Sequence, residues 1–326
     1  MNPEEIRSVV RNLAGLVAEH YVFPEVGAEV AARLTAAAES GRYDALDTPE
    51  RLSELVTADL QVGNNDLHLR LMFHAGEVPD EKDPAAEEAY WMRRAELDAG
   101  GIGRIERLDG NIGLLELRPL LYDPAHAGAA MTAALSMVAG TDALLIDLRR
   151  CLGGSPEQVA LVCSHLFGTD PVHLNDLVTP FDGTVRQYWT TPYVGVPRFG
   201  ATKPIWVLTS ASTFSAGEEL TYDLQQLKRA QIVGERTRGG AHPRRGFKLH
   251  QHLEATLPVA RAMNPVSGTN WEGTGVTPDV EVPAADAFTV AYRSALEHVL
   301  TLSSDPDRRS VTDEARTVLG AAVVAG

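Results

Sequence analysis

The 326-residue sequence predicts an α/β protein preceded by a small N-terminal helical bundle. Three observations carry that expectation. From residue 104 onward, short apolar runs that read as strands alternate with helical stretches, the order that builds sheets covered by helices. Ahead of them, residues 1 to about 62 carry apolar residues at three- and four-residue spacing, the mark of amphipathic helices. The composition, 44% hydrophobic and 22% charged, is that of a globular chain long enough for one large domain plus a smaller one.

EEIRSVVRNLAGLVAEHYVF and EVGAEVAARLTAAAESG read as the first two helices, with Gly41 as the stop of the second. Thr48 opens a third, TPERLSELVTADLQ, with Pro49 at its first position. The bundle is therefore expected over residues 1–65. In NNDLHLRLMF the leucines at 67, 69 and 71 alternate with His68, Arg70 and Met72, so a strand is expected with His68 facing away from the leucines. Residues 75 to 101 are charged and contain two prolines, which reads as an exposed excursion, so 66–103 is expected to link the bundle to a core over 104–326. Within that core the order is GNIGLLEL, a helix near 125–139, ALLIDLR, a helix at 155–167 and a hairpin around Asp182 and Gly183. PIWVLTS, the helix opened by TFSAGEE, AQIVGE, a strand near 254–260 and a closing helix from about 286 complete it.

The balance of 29 basic against 44 acidic residues, a formal charge of −15, argues against nucleic acid or an anionic membrane as a main partner. No segment approaches the roughly eighteen consecutive apolar residues of a membrane span. The opening MNPEEIRSVVRN carries acidic residues where a secretory signal would be basic, so a cytoplasmic protein is expected. Cys151 and Cys163 fit neither a disulfide framework nor a zinc spacing and are expected to be buried thiols, with no metal.

TFSAGEE places Ser215 where a strand hands over to a helix. Ser215 and Glu218 have the S-x-x-E spacing of a capping box, which is reason enough for a serine there. The same place gathers exposed amides that stabilise negative charge, and a serine hydroxyl becomes a nucleophile when a base, an orienting acid and such amides converge on it. The amide of Ala216 is one donor. The turn RRCLGGSPEQ offers Gly153 and Gly154 as others, although Ser155, Pro156 and Gln158 also make that turn an ordinary helix start. Among ten histidines, His68 is the first candidate for the base, with Asp66 two residues before it, and His242 in RTRGGAHP is the competitor. The orienting acid stays open among Glu218, Glu219, Asp66 and Glu272, while Trp271 reads as a packing residue.

Three stretches, LLIDLRRCLGG, VLTSASTFSAGEELTYDLQQLKRAQIVGERTRGGAHP and NWEGTGVTPDV, together resemble the tail-specific or C-terminal-processing serine peptidases, family S41. The resemblance covers about residues 104–300, and the opening with YVFPEV and DLHLR is similar to the interphotoreceptor-retinoid-binding-protein-like branch. It implies a ClpP/crotonase-like core of repeated ββα units. SAGE matches the S-A-S-E element whose first serine is the nucleophile, which makes Ser215 that residue. The serine/lysine members take their base from a G-K-G-T loop, but the matching position here is Gly240, which rules out that dyad. Tricorn-like members use a histidine before the core and a glutamate in an E-N-Y-G-V-x-P-D turn, matched by His68 and Glu272. Leu67 stands where tricorn has a serine. Gly153 and Gly154 match the oxyanion turn D-L-R-x-N-x-G-G, with Cys151 in place of its asparagine. Residues 75–103 are too few for the PDZ domain that many relatives insert.

The resemblance thus implies a serine hydrolase, foremost a peptidase acting on peptide or protein tails through an acyl-enzyme, with no metal or organic cofactor. The rival readings on the same fold are a non-catalytic binder of a small apolar ligand or peptide, and an acyl-transfer or cyclisation enzyme of small-molecule biosynthesis.

Overall fold

The computed structural model describes residues 1–79, 83–302 and 305–324, and the chain forms two compact units. The first comprises Met1–Glu87, Asp176–Arg186 and Gly240–Met263; the second comprises Glu88–Asn175, Gln187–Gly239 and Asn264–Gly326. The α/β class and the N-terminal helices expected from the sequence are both present.

In the first unit the three helices are α1 (Pro3–His20), α2 (Pro24–Glu39) and α3 (Pro49–Leu60). Each begins on a proline, whose missing N–H costs nothing at that position. Asn2 and Glu5 close a capping box on α1, and the Thr48 hydroxyl accepts the Arg51 amide at 3.3 Å. Their apolar faces bury Ile6, Leu13, Leu34 and Leu52 against an antiparallel sheet of order β1-β10-β9, formed by Arg70–Phe73, Leu253–Pro258 and Arg244–His250. Leu71 sits opposite Ala255, and Ala255 opposite Phe247.

Two expectations fail here. The alternation through DLHLR does not make a strand, because β1 starts only at Arg70 and His68 lies in a turn. The cause is Asp66, whose carboxylate accepts the His68 backbone N–H at 3.0 Å and curls the chain. His68 is buried, but outside the apolar cluster that holds Leu69 and Leu71. The expected excursion contains a helix, α4 (Pro84–Leu97), with Asp83 capping the Ala85 amide at 2.9 Å; residues 80–82 lie outside the described residues. Only Ala95 of α4 is buried, so the helix shows almost no apolar period.

The second unit holds a six-stranded sheet of order β12-β8-β7-β4-β3-β2. Its strands are β2 (Ile102–Leu108), β3 (Ile112–Leu117), β4 (Ala143–Asp147), β7 (Ile205–Thr209), β8 (Gln231–Gly234) and β12 (Val280–Glu281). All neighbours are parallel except β2 and β3. Every residue of β4 and β7 is buried, as strands covered on both faces must be. Adjacent residues part to opposite faces. Leu115, Ile146, Val207 and Ile232 pack with α5 (Pro124–Val138), α6 (Pro156–Leu166) and α7 (Ala216–Gln226). Leu114, Leu145, Leu208 and Val233 pack with α8 (Ala284–Thr301), which α9 (Arg309–Val324) follows.

Strands β5 (His173–Val178) and β6 (Val185–Trp189) flank the expected turn at Asp182 and Gly183 and pass from one unit to the other. Within the first unit β11 (Arg261–Met263) pairs antiparallel with β5, Ala262 opposite Leu177. Among the described residues no helix is long and apolar enough to cross a membrane.

Leu52 is fully buried in the bundle core. Its replacement by alanine should therefore cost about 2–5 kcal/mol, read as a lowered urea midpoint with an unchanged slope.

Candidate active site

Because β4 and β7 are parallel neighbours, the turns that leave them lie at the same edge of the sheet. The turn after β7 is tied to the turn after β4 by several bonds. The Thr213 hydroxyl donates to the Leu148 carbonyl at 2.9 Å, the Ser210 hydroxyl to the Arg149 carbonyl at 2.6 Å, and the Phe214 amide to the Cys151 carbonyl at 3.0 Å. Ser215 comes next, with φ +53° and ψ −123°, a left-handed conformation that a residue with a side chain adopts at a cost of about 1–3 kcal/mol. It immediately precedes α7, so Ala216 is the first helical residue and its N–H has no intrahelical acceptor.

Glu218 holds this conformation. Its side chain is fully buried, and its carboxylate accepts the Ser215 backbone N–H at 2.9 Å, the Thr237 hydroxyl at 2.5 Å and the Gly239 N–H at 2.6 Å. The carboxylate half of the expected capping box is thus made, while the Glu218 amide goes to the Ser215 carbonyl at 2.8 Å. Sequence spacing gave Glu218 a local role; its reach to Thr237 and Gly239 carries no sequence signal.

Gly153 and Gly154 have φ of +128° and +139°, which side chains rarely allow. A Cβ on Gly153 would stand 2.9 Å from the Ser215 Cβ, so only glycine lets this turn approach the serine. A Cβ on Gly154 would meet the Leu121 carbonyl oxygen at 2.1 Å. Leu121 donates to the Gly153 carbonyl at 2.8 Å and accepts from the Ser155 amide at 2.7 Å, bonds that use neither glycine's N–H. Cys151 is buried, and burial pushes its thiol up to about 11, so it stays protonated.

Glu272 lies in the turn closed by the Gly275 amide donating to the Trp271 carbonyl at 2.9 Å, and its own amide donates to Asn270 Oδ1 at 2.9 Å. That turn is fastened to the loop that Glu218 grips. The Gly273 amide donates to the Gly239 carbonyl at 3.1 Å and the Val276 amide to the Thr237 hydroxyl at 2.7 Å. Trp271 is buried and packs on Tyr222 of α7 with ring centroids 5.4 Å apart.

Glu219 and Asp223, one turn apart on α7, are also buried. Asn175 donates to Glu219 at 3.1 Å and Asn264 to Asp223 at 3.1 Å. Burial pushes Glu219 up to about 7 and Asp223 well above the usual carboxylate range. These acids pack α7 from behind, and no bond joins Glu219 to the Ser215 amide that Glu218 takes.

Ser215, Glu272, Ala216, Gly153 and Gly154 all belong to the second unit, and His68, Asp66 and His242 to the first. Asp66 is buried and accepts the Tyr21 hydroxyl at 3.0 Å, while His242 Nδ1 lies 3.1 Å from the same carboxylate oxygen. His242 is itself buried edge-on against Phe23. Burial above all pushes the His68 imidazole down to about 4, against the opposing pull of Asp66 and with smaller contributions from the neighbouring Arg244, His242 and Arg70. His68 is therefore neutral at neutral pH, the form in which an imidazole accepts a proton.

The sequence model of peptidase family S41 matches residues 111–282, and that of the N-terminal domain of Peptidase_S41 in eukaryotic IRBP matches residues 3–97. A curated relative, the chloroplastic carboxyl-terminal-processing peptidase 2 of Arabidopsis thaliana, is 30% identical over 161 residues, 48% of this chain. The match spans only 30% of that relative's length. Among solved structures, the photosystem II D1 C-terminal processing protease has a TM-score of 0.52 at 16% identity, over 86% of this chain and 93% of that one. Mature CPAF complexed with lactacystin has a TM-score of 0.61 at 13% identity, over 95% and 100% of the two chains. The tricorn protease has 0.58 at 14% identity, over 91% of this chain and 37% of its own. At such identities the likeness is one of fold.

Two outcomes follow from this geometry. Glu218→Ala leaves buried donors without their acceptor and should destabilise the fold by about 2–4 kcal/mol in urea titration, whereas the exposed Glu29→Ala should cost under about 0.5 kcal/mol. As pH falls below 6.5 the unfolded chain takes up a proton at His68 that the folded chain refuses until about 4. His68 stability is thus complete above 6.5 and lost toward 4, so the pH slope of stability across that window should flatten in His68→Gln.

Proposed function

This chain belongs to peptidase family S41, and from that premise we propose that it is a serine-type peptidase in which Ser215 is the nucleophile, His68 the general base and Glu272 the acid that orients the imidazole. The observation that carries this reading is the backbone of Ser215. A non-glycine residue is held at positive φ between a parallel strand and a helix, with a glycine turn close against its Cβ. A cap alone has no need of that strain, whereas a nucleophile gains exposure and nearby amides from it.

In this reading the Ser215 oxygen adds to a peptide carbonyl carbon as His68 takes the hydroxyl proton. The carbonyl oxygen becomes an oxyanion that accepts from the N–H groups of Ala216 and of the Gly153 and Gly154 turn. Collapse breaks the C–N bond, the leaving amine takes the proton from the imidazolium, and an acyl-enzyme remains. Water then repeats the sequence and frees the acid. An imidazole at about 4 is neutral but a weak acceptor, and in this reading Glu272 orients it and stabilises the imidazolium as it forms.

We assign peptide or protein tails as the substrate class, supported by the carboxyl-terminal-processing relative. A cytoplasmic setting belongs to the same reading, consistent with two buried free thiols.

A fluorophosphonate probe tests the roles. Wild type should label, Ser215→Ala should not, and His68→Ala should slow labelling by about a hundredfold or more. His242→Ala should retain labelling at any pH where it stays folded. Labelling lost in His242→Ala and kept in His68→Ala would transfer the role of base to His242, and a folded wild type that never labels would refute the nucleophile.

A further inference from the structure

Gly217 is the second residue of α7 and has no positive φ. Its backbone gives no reason for glycine; its neighbour does. A Cβ at 217 would stand 3.0 Å from Cys151 Sγ, 3.2 Å from Cys151 Cβ and 3.3 Å from the Cys151 carbonyl oxygen. A side chain at 217 would therefore press on Cys151, which would have to give way by a few tenths of an ångström.

Cys151 also touches both halves of the site. Its carbonyl accepts the amide of Phe214, the residue before the serine, at 3.0 Å. Its thiol points at the Gly153 carbonyl, 3.8 Å away, within the turn that stands against Ser215. The Gly217 amide in turn donates to the Phe214 carbonyl at 3.0 Å. Segments 151–153 and 214–217 are thus interlocked through one buried side chain and the glycine that admits it. These are also two positions where the chain departs from the D-L-R-x-N-x-G-G and S-A-S-E patterns, so the departures meet in space.

Resting on the assignment of Ser215 as nucleophile, we propose that Cys151 is a positioning residue. Its side chain, seated on Gly217, sets the gap between the Gly153–Gly154 turn and the serine, and so the fit of the site to the tetrahedral oxyanion. It acts by volume and by a weak S–H donation, touching no substrate. Loss of Sγ lets the turn settle toward α7; an added Cβ at 217 pushes it away.

The test is a cycle of Cys151→Ala, Gly217→Ala and the double variant, read by the second-order rate of fluorophosphonate labelling at Ser215 and by thermal midpoint. Each single change should slow labelling by about tenfold or more, since displacements under an ångström cost that much in acyl transfer. The double variant should recover to within about threefold of wild type, because the space that Sγ vacates lets the two segments accommodate the new Cβ. Cys151→Ser should fall between wild type and Cys151→Ala. A purely structural role would move the midpoint and leave the labelling rate of the folded fraction unchanged, which would overturn the proposal. Additive losses in the double variant would also overturn it, as would a Cys151→Ala that labels like wild type should Gly217→Ala not fold. Wild type that does not label overturns the nucleophile reading itself; labelled wild type with additive variants overturns only the role of Cys151.

Discussion

A single carboxylate orders the edge of the second unit's sheet at which Ser215 lies. Glu218, without solvent exposure, accepts from the Ser215 amide, the Thr237 hydroxyl and the Gly239 amide, and so joins the start of α7 to the loop after β8. Burying a carboxylate is expensive unless its lone pairs are met by donors, and here donors come from both of the segments it joins. Through Thr237, which also accepts from Val276, and through Gly239, which accepts from Gly273, the same anchor reaches the turn carrying Glu272. The serine's backbone and the glutamate's turn are consequently tied to one side chain.

That anchor works because the sheet has already placed its partners. Parallel pairing of β4, β7 and β8 sends three successive strand exits to one edge, where the Gly153 turn, the Ser215 turn and the Thr237 loop begin. Two apolar layers, one under α5 to α7 and one under α8, fix the strands from both faces, and adjacent residues divide between them strictly. Short, fully buried strands give such an edge little freedom, so polar contacts of 2.5–3.1 Å suffice to set the geometry.

What could be read from sequence follows the strength of local signals. The helices α1 to α3 and the strands β4, β7 and β8 have clear periods or unbroken apolar runs, and glycines at 153 and 154 announce a turn. β9 escaped because it is an edge strand whose residues include two arginines, a lysine and a histidine, with little buried alternation. α4 escaped because nothing packs most of its surface, and α9 because it continues a helical stretch after a short break. His68 shows the limit most clearly. Its alternating neighbours imitate a strand, but a carboxylate two residues back takes its amide, and no periodicity reports a side-chain-to-backbone bond. Ser215 was legible as a position and Glu218 as a cap, while the long-range bonds that give Glu218 its importance connect residues about twenty apart.

The positive φ of Ser215 has a meaning for how such a chain can be improved. Glycine at this position would relieve the backbone and leave the helix start, the sheet and the Glu218 contacts unchanged, so a search for thermal stability alone would choose it. With Ser215 as the proposed nucleophile, foldability and chemistry are in direct opposition at this residue. Under that proposal, stability is better added elsewhere, in the helical bundle or on the exposed faces of α4, with this strained residue left as it is.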